Sequence, residues 1–134
     1  MLKLLLIVAV LTCSAAVSSQ TATTLSLQQI EGFKAAKVKT EKQAVPYALK
    51  MAVTVKKIYD NMLSAHEDQR LRRKLAARLH LYTGKLLDIR GQSYRDALGI
   101  LTPAQRQTIR EALKKPDAPQ DIGELIAKTF GLAK

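Results

Sequence analysis

Apolar residues recur every three or four positions along two long stretches of the chain, as they do on one face of an α-helix. The first stripe is Ala44, Ala48, Met51, Val55, Ile58 and Met62, and the second is Leu71, Leu75, Leu79, Tyr82, Leu86 and Ile89. The alternation of apolar and polar residues that a half-buried strand would show is missing from both stretches. The pattern therefore predicts an all-α fold.

Three segments carry the capping-box pattern, in which Ser or Thr starts a helix and Glu or Gln follows three residues later. They are Ser26-Leu27-Gln28-Gln29, Ser64-Ala65-His66-Glu67 and Thr102-Pro103-Ala104-Gln105. In such a box the hydroxyl accepts a hydrogen bond from the third residue's backbone N–H, and the Glu or Gln side chain bonds back to the first N–H. The boxes predict that helices start near residues 27, 65 and 103.

These starts and stripes together predict four main helices and a short C-terminal helix. The first covers residues 27–38, the second follows with Pro46 near its first turn, and the third is one long helix over about 65–98. The fourth begins at Pro103, and Asp121 caps the last one. Helices of such unequal length cannot cover all their apolar stripes in a compact four-helix bundle. We therefore expect a homodimer that shares the long helices.

The first nineteen residues have the three parts of a secretory signal peptide. Lys3 supplies the positive start, residues 4–11 form an unbroken apolar run, and small residues follow up to Ser19. The run is far too short to cross a bilayer, which takes about 20 apolar residues. We therefore expect residues 1–19 to be cleaved, leaving an exported single domain over residues 20–134 with no transmembrane segment. The alternative, a lipoprotein acylated at Cys13, is disfavoured because the residues before Cys13 lack the usual Gly, Ala or Ser.

The composition excludes several classes of protein. The 134 residues carry 22 Lys and Arg against 11 Asp and Glu, a formal net charge of +11. Export argues against a nucleic-acid partner for this charge. The single Cys excludes a disulfide framework. His66 and His80 lie about 21 Å apart along one predicted helix and cannot share a metal ion. With no Gly-rich phosphate loop and no metal-ligand motif, the sequence predicts neither an enzyme nor a cofactor or metal site.

The densest positive charge lies near the start of the predicted long helix. Five cations stand there beside two leucines of the second stripe: Arg70, Arg72, Arg73, Lys74 and Arg78, with Leu71 and Leu75. Guanidinium groups next to leucines combine long-range attraction for acidic chains with apolar area for contact. Two other interpretations stay open: a solvated helix flank that serves solubility, and a surface that binds anionic lipid, as basic amphipathic helices do.

Two of the three capping boxes share a longer pattern. Leu25-Ser26-Leu27-Gln28-Gln29 and Leu101-Thr102-Pro103-Ala104-Gln105 both fit L-[S/T]-x-x-Q, one near each end of a small, exported, helical chain. This arrangement resembles the Spy/CpxP family of periplasmic helical proteins, in which LTxxQ motifs recur as a pair. The positions that match the motif are Leu25, Ser26, Gln29, Leu101, Thr102 and Gln105.

The resemblance implies an ATP-independent periplasmic chaperone. Members of the family form an elongated, hairpin-like cradle, a thin antiparallel dimer of bent helices. Unfolded or partly folded clients bind its basic, partly apolar concave face. Some members also restrain an envelope-stress sensor kinase, so a regulatory or metal-responsive protein that binds such a kinase is the alternative. Metal-responsive relatives use several His, and sometimes Cys or Met, whereas this chain keeps two distant His after cleavage. We take the cluster at 70–78 as the client-binding surface, an assignment that no family motif fixes.

Overall fold

A computed structural model describes residues 24–132, and the predicted signal peptide, including Cys13, lies outside these residues. The described chain has four helices: α1, Leu27–Met62; α2, Gln69–Ile100; α3, Pro103–Leu113; and α4, Ile122–Thr129. It is 80% helix and contains no strand, which confirms the all-α prediction. None of these four helices combines the length and apolarity that a membrane crossing needs.

The first two predicted helices are one continuous helix. α1 runs from Leu27 to Met62, so the prediction of a separate helix over 27–38 is wrong. Residues 39–43 contain no Gly or Pro that would interrupt it, and the Thr40 hydroxyl donates back to a carbonyl in the preceding turn at 2.8 Å. Pro46 lies inside α1, where it removes one backbone hydrogen bond.

α2 begins at Gln69 because Asp68, and not Ser64, is the residue that caps it. The Asp68 carboxylate accepts hydrogen bonds from the N–H groups of the second and third residues after it, at 2.9 and 3.0 Å. The Ser64 hydroxyl donates to two carbonyls within the turn instead. Asn61, 8% exposed at the end of α1, bonds the N–H and the carbonyl of Asp68 through its amide at 3.1 and 3.0 Å. The predicted box at 64–67 is therefore wrong.

The last two helices start where the sequence predicts. Thr102 caps α3, and Gln105 completes its capping box in both directions. Asp121 caps α4 by accepting from the N–H of Glu124 at 2.9 Å. Gly131 follows α4 with a φ of 70°, a conformation that favours glycine at helix ends.

Residues 24–31 and 98–132 form one compact unit. Within it, α3 packs against α4. Its buried side chains, each at most 3% exposed, are Leu101, Gln105, Ile109, Leu125 and Ile126. Gln105 is the one polar member of this core and has the lowest exposure, 1%.

Residues 32–97 form a second compact unit, in which α1 and α2 pair antiparallel. Lys39 lies 3.0 Å from the carboxylate of Asp96, and the rings of Tyr47 and Tyr82 have centroids 6.5 Å apart. These contacts stand on both sides of the proline in α1 and offset the hydrogen bond that it removes. The Lys39 ammonium and the Gln92 amide hold the pKa of the Asp96 carboxyl below its ordinary value.

The helix pair has a thin core. Leu75, at 3% exposure, is the only apolar side chain that is fully buried among residues 32–97, together with the polar Thr54 and Asn61. The other stripe members are half-buried or exposed: Ala44, Met51, Val55, Ile58, Leu79, Tyr82, Leu86 and Ile89 are half-buried, and Ala48, Met62 and Leu71 are exposed. The predicted stripes thus face each other without being fully covered.

Candidate binding surface

The two LTxxQ-type motifs meet at their glutamines, within the unit that holds both. Nε2 of Gln29 donates to Oε1 of Gln105 at 2.7 Å, and Nε2 of Gln105 donates to Oε1 of Gln29 at 3.3 Å. Each Oε1 also closes its own capping box, by accepting from the N–H of Ser26 at 3.0 Å and of Thr102 at 2.9 Å. We call this reciprocal pair, Gln29 and Gln105, the glutamine clasp.

Each clasp residue has a further partner in the other motif. Gln29 donates to the carbonyl of Ile100 at 3.0 Å, and Gln105 donates to the carbonyl of Thr24 at 2.8 Å. Both carbonyls lie two residues before the cap of the opposite box. A glutamate in place of either glutamine would still cap its helix but has no N–H to donate. The motif glutamines therefore stabilise the fold by joining the two motifs. Gln105 is too buried to contact a binding partner.

A row of exposed cations follows one side of α2. We call Arg70, Lys74, Arg78 and Lys85 the cationic ridge. Leu81, 59% exposed, stands three residues after Arg78 and four before Lys85, so it lies among the ridge cations. Residues 70–85 contain no Asp or Glu, and the structure gives the ridge no ion pair within the described part of the chain. Sequence reasoning found three of the four cations but missed Lys85 and Leu81.

The other two predicted cations do not belong to the ridge. Arg72 lies 3.2 Å from the carboxylate of Glu67 and donates to the Gln69 side chain at 2.8 Å. Arg73 is exposed and neighbours Arg70 one turn away, but it lies about 140° around α2 from Arg78, so it is outside the row that continues to Lys85. The structure thus brings together only part of the predicted cluster.

The two predicted leucines line a small groove beside the α1–α2 turn. Leu71 is 41% exposed, whereas Leu75 is 3% exposed and belongs to the core. Both line an open groove of about 340 Å³ together with Lys57, Asp60, Asn61 and Ser64. Leu71 is four residues before Leu75 and seven before Arg78, on the flank of the ridge. Leu75 therefore forms part of the floor of the groove, whereas Leu71 is exposed at its side.

α1 carries a second apolar stripe that sequence reasoning missed. Val38, Val45, Leu49 and Val53 are 49, 52, 63 and 54% exposed, and we call them the α1 outer stripe. They recur at helical spacing on the face opposite the stripe that packs on α2. The signal was present in the sequence, because α1 has apolar residues on two faces while only one neighbouring helix was predicted to cover them.

The helix pair also has an open apolar groove of about 570 Å³. It is lined by Ala48, Met51, Ala52, Val55, Lys56, Tyr59 and Leu86. Lys56 is its one charged lining residue. This groove and the α1 outer stripe show that much apolar surface in residues 32–97 is accessible.

Residues 24–132 contain no group of three or more His, Cys, Asp or Glu that could hold a metal ion. His66 and His80 are both exposed.

No family model, no curated protein and no solved structure matches the chain. The resemblance to the Spy/CpxP family therefore depends on the two motifs alone.

Proposed function

We propose that this protein is an ATP-independent chaperone that binds unfolded or partly folded proteins and limits their aggregation. The observation that carries the proposal is an exposed leucine, Leu81, set among the four ridge cations, which form no ion pair with any acid in residues 24–132. A single-sign surface with accessible apolar groups attracts flexible acidic chains and then contacts their apolar residues.

The mechanism follows from the weakness of each contact. The ridge cations act over about one Debye length, about 8 Å at physiological salt, and so guide a client before it touches the surface. Leu81 and the Leu71 groove then provide small apolar contacts. Each contact can bury only part of one apolar side chain of the client. Because Leu81 and the Leu71 groove are open to solvent, a client can exchange contacts and continue to fold while bound.

A periplasmic location and a homodimer are parts of the same proposal. The signal-like first nineteen residues and the paired LTxxQ motifs support the location. The thin core of the helix pair supports dimerisation, because the nearly uncharged groove around Ala52 and Leu86 is where a second copy would bury apolar area. Sedimentation at tens of micromolar that finds only monomer would contradict the dimer.

Light scattering from a denatured, aggregation-prone client tests the activity. We expect the chain to suppress aggregation at a stoichiometric ratio without ATP, and less so at high salt. No suppression would contradict the proposal and favour the sensor-binding alternative, for which a single specific partner should then be found.

A charge-reversal pair of variants tests the location of the surface. Arg70, Lys74 and Arg78 replaced together by Glu should weaken client binding and reduce its salt dependence. The matched control replaces three exposed cations elsewhere, Arg106, Arg110 and Lys115, and so makes the same change in net charge. Equal loss in both variants would show that net charge, and not the ridge, binds the client.

A further inference from the structure

We propose that the α1 outer stripe docks on the surface of a bilayer that contains anionic lipid. This function goes beyond client binding and uses a different helix. The four stripe residues are aliphatic, and each is between 49 and 63% exposed. From Val38 to Val53 the stripe extends for about 22 Å along α1, at about 1.5 Å per residue. That length lets the helix lie along a membrane surface.

Lysines on the face of the stripe identify the partner's chemistry, because Lys42 lies between Val38 and Val45 and two more lysines lie at the stripe's ends. Lys34, Lys42 and Lys56 are exposed and lie one helical turn from Val38 or Val53. Long lysine side chains can extend to lipid headgroups while the aliphatic residues beside them enter the apolar boundary. Residues 34–57 hold seven Lys and a single acidic residue, Glu41. This part of α1 is therefore strongly cationic, and the three lysines on the stripe's face make that face complementary to negative charge along its length.

A second copy of the same helix pair does not supply that charge. On α2, residues 70–97 contain eight Lys and Arg but only Asp88 and Asp96 as acids, and Asp96 is already paired with Lys39 at 3.0 Å. Two copies meeting at this stripe would bring lysines against cations. An anionic bilayer instead offers negative headgroups and an apolar boundary at every point of the stripe, without a matching sequence.

Vesicle binding tests the proposal directly. The protein to use is the chain from Gln20, because the apolar run predicted to be removed would itself bind lipid. We expect it to float with vesicles of phosphatidylcholine mixed with phosphatidylglycerol and not with phosphatidylcholine alone, and added salt should release it. Leu49→Asp should weaken this binding by about tenfold or more. Leu87→Asp should not, although Leu87 and Leu49 are equally exposed at 63%.

A fluorescent reporter shows which face is in contact. The chain has no Trp, so Leu49→Trp and Leu87→Trp each introduce a single probe. We expect the emission of the Leu49 probe to shift to the blue with the anionic vesicles, while the Leu87 probe does not shift. Absence of lipid-dependent flotation would overturn the proposal. So would equal shifts at both probes, or a shift at Leu49 that follows protein concentration without lipid, which would mean that a second copy covers the stripe.

Discussion

Gln29 and Gln105 hold each other by two hydrogen bonds although they are 76 residues apart in the chain. Each belongs to a capping box, a motif that ordinarily serves the helix it starts. Here the side-chain N–H groups of each glutamine, which its own capping box does not use, donate to the other motif. A motif that is local in sequence therefore also makes a long-range contact. The start of α1 is thereby joined to the start of α3.

We expect Gln105→Glu to destabilise the protein although it preserves the capping box. The carboxylate can still accept from the N–H of Thr102, but it cannot donate to Gln29 or to the carbonyl of Thr24, and it is buried. Loss of these bonds and burial of the charge should cost about 2 kcal/mol or more in the free energy of unfolding. Gln105→Ala, which also loses the cap, should cost about 2–3 kcal/mol. Urea unfolding followed by circular dichroism measures both.

Gln107→Ala is the matched control, since Gln107 is an exposed glutamine of the same helix whose side chain donates to Glu111 at 2.8 Å. It should change the stability by no more than about 0.5 kcal/mol. The double variant of Gln29 and Gln105 should lose less than the sum of the single losses, because the two residues share their bonds. Strict additivity would show that the clasp contributes nothing beyond two separate caps.

The sequence could predict what depends on neighbouring residues. The boxes at Ser26 and Thr102 and the cap at Asp121 are local, and each was found from three or four positions. The box at Ser64 failed because a competing cap, Asp68, is fixed by Asn61 from the preceding helix. The predicted break after residue 38 also failed, because α1 continues through Pro46, where tertiary contacts with α2 outweigh a single lost hydrogen bond.

The binding surfaces were predictable only in part, because exposure depends on which elements pack together. The i, i+4 row of Arg70, Lys74 and Arg78 follows from helical geometry alone. Helical geometry alone does not predict whether Leu75 faces solvent or the partner helix, because Leu71 and Leu75 both fit one stripe. The glutamine clasp forms only when the starts of α1 and α3 pack together. The residue spacing within each motif does not predict that contact.

We expect Gly84→Ala to stabilise the protein by about 0.5–1 kcal/mol. Gly84 is in the interior of α2, and an added Cβ would meet no atom within 4 Å, so alanine gains helix propensity without a clash. Gly131→Ala, at a φ of 70°, should instead destabilise. Thermal unfolding compares the two. Destabilisation by Gly84→Ala, increasing with protein concentration, would indicate that a helix of a second copy approaches Gly84 closely.

We expect the Lys39–Asp96 ion pair to make stability depend on pH at the acidic end. The Lys39 ammonium, 3.0 Å away, and then the Gln92 amide lower the pKa of Asp96 in the folded state. A carboxyl whose folded pKa is lowered contributes stability that is fully present above its unfolded pKa, about 3.9. This contribution is lost as the pH falls through the lower, folded value. NMR titration and urea unfolding against pH measure the two sides of this linkage.

Asp96→Asn should remove that pH-dependent contribution and leave the remaining acid sensitivity unchanged. Asp88→Asn is the control on the same helix, because the structure gives Asp88 no hydrogen bond or ion pair within residues 24–132. It should leave the acid dependence of the wild-type protein nearly intact. An Asp96 carboxyl that titrates at or above its unfolded value would contradict the ion pair in solution.

We expect Leu71→Ser to weaken client binding without changing its salt dependence. Leu71 is 41% exposed and lines the groove beside the ridge, so it offers apolar contact and no charge. The loss should be about 1 kcal/mol, or about fivefold in Kd, measured by fluorescence titration of a denatured client at several salt concentrations. Leu113→Ser on α3, with 46% exposure, controls for loss of a comparable leucine elsewhere. Charge reversal of the ridge should reduce the dependence of Kd on salt concentration, whereas Leu71→Ser should not. A reduced salt dependence in both variants would mean that electrostatic attraction and apolar contact are not separable steps of client binding.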